Sequence, residues 1–248
     1  MSSSDKQLQA NLTTLAERIS AAAGRSARAA EAITLVAVSK TFPAQAVVGL
    51  ARCGQRHFAE NYVQEALPKI AAVRAAAPEL PLVWHFIGPI QSNKTRQIAE
   101  QFDWVQSVDR LKVAQRLSEQ RPAHLPPLSV LLQVNISDEA SKSGVTPADL
   151  PALARAVAAL PRLRLRGLMA IPEPGNDPAQ QRAPLAAMKR LFEAQRAAGL
   201  ADWDTLSMGM SADLEVAIEC GATMVRVGTA LFGARGLRGD LALPGNAQ

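Results

Sequence analysis

Apolar residues along this chain recur at two distinct periods. Over residues 5–22 they fall three and four apart, at Leu8, Leu12, Leu15 and Ile19, the spacing of one helical face. Beyond that segment, short apolar runs alternate with amphipathic stretches. The runs ITLVAVS (33–39), RHFAEN (56–61), LVWHFIG (82–88) and WVQSVD (104–109) read as strands, as do SVLLQVN (129–135), RLRGLMAI (164–171), TLSMG (205–209) and TMVRVGT (223–229). Helices are expected near 43–52, 62–76, 93–102, 110–120, 147–159, 178–197 and 211–220. Eight strands alternating with helices, one extra N-terminal helix and no linker predict an α/β chain, a single TIM-type (β/α)8 barrel domain over residues 1–248. An open doubly wound sheet would place a glycine-rich phosphate turn after its first strand. Here the first strand ends SKTFP, and the glycine-rich turns follow strands seven and eight, which favours closure. PEPGNDP (172–178) reads as an exposed loop.

Composition narrows the function classes. The apolar fraction of 48% suffices for a full core, and aromatics contribute only 4%. A net charge of +5 invites a nucleic-acid reading. Most of the 27 basic residues, however, are scattered arginines without aromatic interleaving, so nucleic acid is not expected as a partner. Cys53 and Cys220 each precede a glycine at an expected helix end and lack metal-ligand spacing, so they read as small apolar residues. The N-terminus has no signal-like apolar stretch, and no run approaches the ~20 apolar residues of a membrane span. A soluble, cytoplasmic chain is expected.

In such a barrel, ligands bind where the strands end. Alternation puts Val36, Val38 and Lys40 on one face, with Lys40 ending the first strand. An inward lysine is tolerable only at the mouth, where burial favours the neutral amine that attacks an aldehyde. A solvated lysine in a βα loop fits the position equally well. SMGMS (207–211) and RVGT (226–229) follow strands seven and eight, where this fold grips phosphates. Gly209 and Gly228 permit close backbone approach, and Ser207, Ser211 and Thr229 offer hydroxyls. A helix starting near Ser211 would add free N–H groups, although plain capping by Ser211 is the simpler alternative. In TMVRVGT, Met224, Arg226 and Gly228 share one face while Val225 and Val227 suit the outer helices. Arg226 therefore points inward and needs an acceptor. A pyridine nitrogen would serve, and so would an internal carboxylate such as Glu60 or Asp109.

These blocks together resemble one family. AVSKTFP (37–43), FAENYVQEA (58–66), WHFIGPIQSNK (84–94), QVNISDEASKSG (133–144), RGLMAIP (166–172), LSMGMSADLE (206–215) and MVRVGTALFGAR (224–235) are similar to the pyridoxal phosphate homeostasis proteins. Those proteins resemble in turn the N-terminal barrel of alanine racemase. The resemblance implies pyridoxal 5′-phosphate (PLP) as cofactor, in a Schiff base with Lys40, and Arg226 facing the pyridine nitrogen. It implies phosphate contacts from Ser207, Gly209, Met210, Ser211, Gly228 and Thr229. It sets Asn61 near the ring or its hydroxyl, and makes His85 and Ile87 the lining of the ring pocket.

Racemisation needs a base on each face of the substrate, and in racemases a tyrosine of a second domain supplies the one opposite the lysine. The single tyrosine here is Tyr62, inside the second βα unit. The expectation is therefore a monomeric carrier or buffer in vitamin B6 homeostasis, without catalytic residues or metal, serving apo PLP-dependent enzymes as recipients. A racemase is the alternative. An aldolase-type lysine barrel lacks a convincing carboxylate near Lys40. Lys142, in the SDEASKSG loop, is either a solvated lysine or a residue that receives and hands on the cofactor.

Overall fold

The structure, a computed structural model, describes residues 3–136, 143–172, 177–200 and 202–233, which leaves Lys142 outside the described residues. Eight parallel strands, β1 (Thr34–Val38), β2 (His57–Glu60), β3 (Val83–Phe86), β4 (Trp104–Val108), β5 (Leu128–Gln133), β6 (Leu163–Met169), β7 (Thr205–Ser207) and β8 (Met224–Val227), pair in sequence order. Pairing of β1 with β8, Val36 opposite Arg226, closes the expected barrel. Around it lie α2 (Ala44–Arg52), α3 (Val63–Ala76), α4 (Thr95–Gln101), α5 (Leu111–Gln120), α6 (Leu150–Ala158), α7 (Pro178–Ala197), α8 (Leu214–Glu219) and α9 (Thr229–Phe232). The N-terminal helix α1 (Ser3–Arg25) packs on α2, α8 and α9.

Period-two alternation divides the apolar residues into two layers. Val36, Ala59 and Met224 form a small inner cluster, against which Val38, Ile87 and Trp104 pack. Ala37, Phe58, Trp84, Phe86, Val225 and Val227 face outward into the large core between sheet and helices. The inner cluster is small because polar side chains occupy much of the barrel interior, among them His85, Gln106, Ser207 and Arg226, all buried.

Three local expectations are corrected. β1 stops at Val38, so Lys40 lies two residues beyond it, in a turn closed by Phe42 N–H donating to Ser39 O at 3.0 Å. Helix α8 begins at Leu214 and not near Ser211, because the Asp213 carboxylate accepts from Met210 N–H at 2.7 Å and holds that segment as a turn. The eighth strand ends at Val227, and Thr229 already belongs to α9.

Candidate functional site

Lys40 stands exposed at the C-terminal face of the barrel, on the turn after β1. The next residue, Thr41, has φ of 69°, a left-handed conformation that costs a β-branched side chain about 1–3 kcal/mol. The turn is anchored on both sides. Phe42 stacks on Phe232 of α9, centroids 4.6 Å apart, and a Cβ on Gly228 would lie 3.1 Å from Val38 O. Lys40 and the Gly228–Thr229 segment are thereby brought to the same part of the mouth.

Beneath the turn, a buried ion pair holds the residue before Lys40. Lys69 Nζ, on α3, donates to Glu60 Oε1 at 2.7 Å and to Ser39 O at 2.8 Å, while Ser39 Oγ donates to Glu60 Oε1 at 2.6 Å. Burial pushes the Glu60 carboxyl up, opposed by Lys69 and the Ser39 hydroxyl. Lys69 did not stand out in the sequence, and Glu60 did so only as a possible partner of Arg226.

Arg226 points inward, as alternation requires, and is 3% exposed. Its acceptors are neither Glu60 nor Asp109. Nη1 donates to Ser207 Oγ at 2.7 Å and Nη2 to Ala170 O, just past β6, at 2.8 Å. Glu60 pairs with Lys69, and Asp109 with Arg110 at 2.6 Å. Burial lowers the Arg226 pKa to about 10, which leaves the guanidinium charged at neutral pH.

The remaining residues divide. Gly209 (φ 96°) turns the chain where a Cβ would meet that of Ala217 at 2.5 Å, so only glycine fits this bend between β7 and α8. Met210 and Ser211 follow it, half-buried, and Thr229 is exposed. Ser207, by contrast, is 0% exposed with its hydroxyl committed to Gln106 and Arg226. His85 is likewise fully buried, both ring nitrogens engaged by Gln106 and His57, whereas Ile87 is half-buried beside the inner cluster. Asn61 lies where β2 and β3 end, its Oδ1 buried without a hydrogen-bond partner. Its carbonyl approaches Gly88 so closely that a Cβ there would sit 1.9 Å away. Tyr62 and Ile171, on βα connections, and Leu111, at the start of α5, are large apolar residues left exposed at this face of the barrel. Gln106 and His57 were overlooked, although inward positions in the WVQSVD and RHFAEN runs could have flagged both.

Barrel and mouth define a class: the family model of the alanine racemase N-terminal domain matches residues 7–236. The pyridoxal phosphate homeostasis protein of Pseudomonas aeruginosa is 61% identical over 90% of this chain and 97% of its own. That of Escherichia coli K12 is 55% identical, covering 91% and 95%. This chain belongs to the alanine racemase N-terminal domain family and, within it, to the pyridoxal phosphate homeostasis proteins. Among solved structures, PipY of Synechococcus elongatus, described with PLP bound, superposes with a TM-score of 0.77 at 38% identity, covering 92% of this chain and 100% of PipY. Alanine racemase of Corynebacterium glutamicum, 16% identical with a TM-score of 0.68 over 95% of this chain and 63% of its own, shares the fold.

Proposed function

We propose that this chain is a PLP carrier or buffer of the cytoplasm, holding the cofactor covalently through Lys40 in one barrel domain and releasing it to apo PLP-dependent enzymes. When bound, the cofactor supplies an aldehyde that condenses reversibly with a primary amine, with loss of water. The residues at the mouth fit such a group. Asn61 Oδ1, buried and unpartnered, is an acceptor waiting for a donor such as the ring hydroxyl. Gly209, Ser211, Gly228 and Thr229 would form a backbone-and-hydroxyl cradle for a phosphate, which Met210 joins only by releasing its N–H from the Asp213 carboxylate. Ser207 stands outside that cradle, since its hydroxyl is committed to Gln106 and Arg226.

The observation that carries the proposal is Arg226, a buried guanidinium hydrogen-bonded to no carboxylate among the described residues and held at the mouth by a hydroxyl and a carbonyl, with Asp213 acting on it only through its charge. Facing a pyridine nitrogen, a cation that does not give up its proton leaves that nitrogen unprotonated. The ring then withdraws electrons weakly, which disfavours chemistry that needs a strong electron sink, such as transamination. Tyr62 is 53% exposed, and its hydroxyl makes no hydrogen bond among the described residues that would fix it as a second base. The names of the homeostasis relatives support the same reading.

Borohydride reduction of PLP-loaded protein followed by peptide mapping tests it, with a pyridoxyl group expected on the Lys40 peptide. Protein that stays colourless after incubation with excess PLP would sink the proposal. Formation of D-amino acids from L-isomers at ordinary enzyme rates, dependent on Lys40, would establish the racemase instead.

A further inference from the structure

The barrel interior contains a connected polar chain that cofactor binding alone does not require. Arg226 Nη1 donates to Ser207 Oγ at 2.7 Å, and Ser207 Oγ donates to Gln106 Oε1 at 2.7 Å. Gln106 Nε2 lies 2.9 Å from His85 Nδ1, and His85 Nε2 lies 3.0 Å from His57 Nδ1. The chain runs from β8 through β7, β4 and β3 to β2. Ser207, Gln106 and His85 are each 0% exposed, so solvent repairs no broken link between them.

Donor and acceptor chemistry gives these links a direction. A guanidinium only donates, so Ser207 accepts from Arg226 and turns its own hydrogen to Gln106. The amide is thereby set with oxygen toward Ser207 and nitrogen toward His85. Met224 imposes the same choice independently. Its sulfur lies 3.2 Å from Gln106 Nε2, a contact that suits an N–H and would repel a carbonyl oxygen. With an N–H arriving at Nδ1, His85 carries its hydrogen on Nε2 and donates it to His57 Nδ1. His57 is left with its own hydrogen on Nε2. Every link then points from Arg226 to His57, and reversing one alone sets two donors or two acceptors face to face.

We infer that Gln106 is a positioning residue: through this one-way chain it holds Ser207 and Arg226 in a single orientation at the mouth and locks His85 and His57 as Nε2–H tautomers. The effect on bound cofactor rests on the proposed carrier function; the tautomers do not. Protonation of His57 would put a second N–H on Nδ1, against the His85 donor. The groups about this pair are Asp103, which attracts a proton to His57, and Trp104, stacked on His85 at 5.4 Å with Arg166 over its ring at 4.9 Å.

The test begins with ligand-free protein labelled with 15N at histidine, where chemical shifts separate ring nitrogens with and without hydrogen. The chain has 3 histidines, and exposed His124 serves as an internal standard. His57 and His85 are expected as single Nε2–H tautomers at neutral pH. Gln106→Glu keeps the shape but offers His85 only an acceptor, so both rings are expected to switch to Nδ1–H and His57 to titrate at higher pH. An Nδ1–H or interconverting His85 in the unsubstituted protein would overturn the one-way chain.

In PLP-loaded protein, Gln106→Leu is expected to release cofactor faster, on the order of tenfold for one lost buried hydrogen bond. It should also shift the pH profile of the visible band. Release and pH profile equal to those of the unsubstituted protein would remove Gln106 as a positioning residue, and Gln106→Glu gives the same readout should Gln106→Leu not fold. Failure of the unsubstituted protein to take up PLP would strike the proposed function and leave the histidine result standing.

Discussion

Glu60 and Lys69 illustrate how a buried charge is tolerated only while its partner is present. Their side chains are 0% and 9% exposed, and one Glu60 oxygen, Oε2, has no hydrogen-bond partner. Lys69→Met leaves a carboxylate uncompensated and is expected to destabilise by about 3–5 kcal/mol, measured by denaturant unfolding. Replacing both residues, as Glu60→Leu with Lys69→Met, should recover most of that loss. A cost under ~1 kcal/mol for the single substitution would show that the pair contributes no more than a surface contact.

His57 and His85 give the opposite titration. Burial lowers both pKa values from the ordinary 6.5, His85 well below it. The unfolded chain therefore takes up protons that the folded one refuses. Their contribution to stability is intact above pH about 6.5 and is lost as pH falls from there toward their folded values, approaching about 1.4 kcal/mol per pH unit for the fully buried His85 and less for the half-buried His57. Glu60, with its pKa raised, acts with the reverse sign, losing stability as pH rises above its ordinary 4.5. The histidine loss is best read as the fall in Tm from pH 7.5 to 5.5 in a Glu60→Gln background. A Tm that does not move would mean these rings accept protons while folded.

At the scale of elements, strand ends and the turns after them set the mouth. β2 and β3 converge where Ile87 N–H donates to Glu60 O at 3.0 Å, and the next residue, Gly88, touches the Asn61 backbone. Gly88→Ala cannot be absorbed by a side-chain rotation, since the obstacle is a carbonyl 1.9 Å from the new Cβ. The two strand ends must part, carrying Asn61 with them. An expected loss of about 1–3 kcal/mol in stability and a weaker grip on PLP can be followed by thermal unfolding and by titration of the visible band. Full retention of both would mean that the mouth repacks freely.

For the molecule as a whole, α1 ties the first described residues to α8 and α9. Asn11 Nδ2 donates to Leu231 O at 2.8 Å, Arg18 pairs with Glu215 at 2.7 Å and Arg25 with Glu219 at 2.9 Å. The apolar stripe beneath supplies the affinity, and Leu15 is 1% exposed within it. Leu15→Ala should cost about 2–5 kcal/mol. Because α8 and α9 flank the proposed phosphate cradle, the same substitution is expected to weaken PLP binding from a distance. Unchanged affinity would show that α1 stabilises the barrel without shaping its mouth.

Periodicity gave the eight strands, their order of appearance and the inward turn of Arg226, because hydrophobic alternation is a local property that side-chain burial enforces along each strand. The glycine-rich turns after strands seven and eight favoured closure. Helix boundaries were legible to within a few residues, with α6 and α8 starting latest relative to expectation, α8 because the Asp213 carboxylate captures Met210 N–H. Which polar groups meet inside the barrel was decided only in three dimensions. Gln106 and Ser207 are 101 positions apart in sequence, Arg226 and Ala170 are 56 apart, and closure of the sheet sets each beside its partner. Hydrogen-bond partners, tautomers and shifted pKa values are properties of that juxtaposition, so no reading of single segments could assign them.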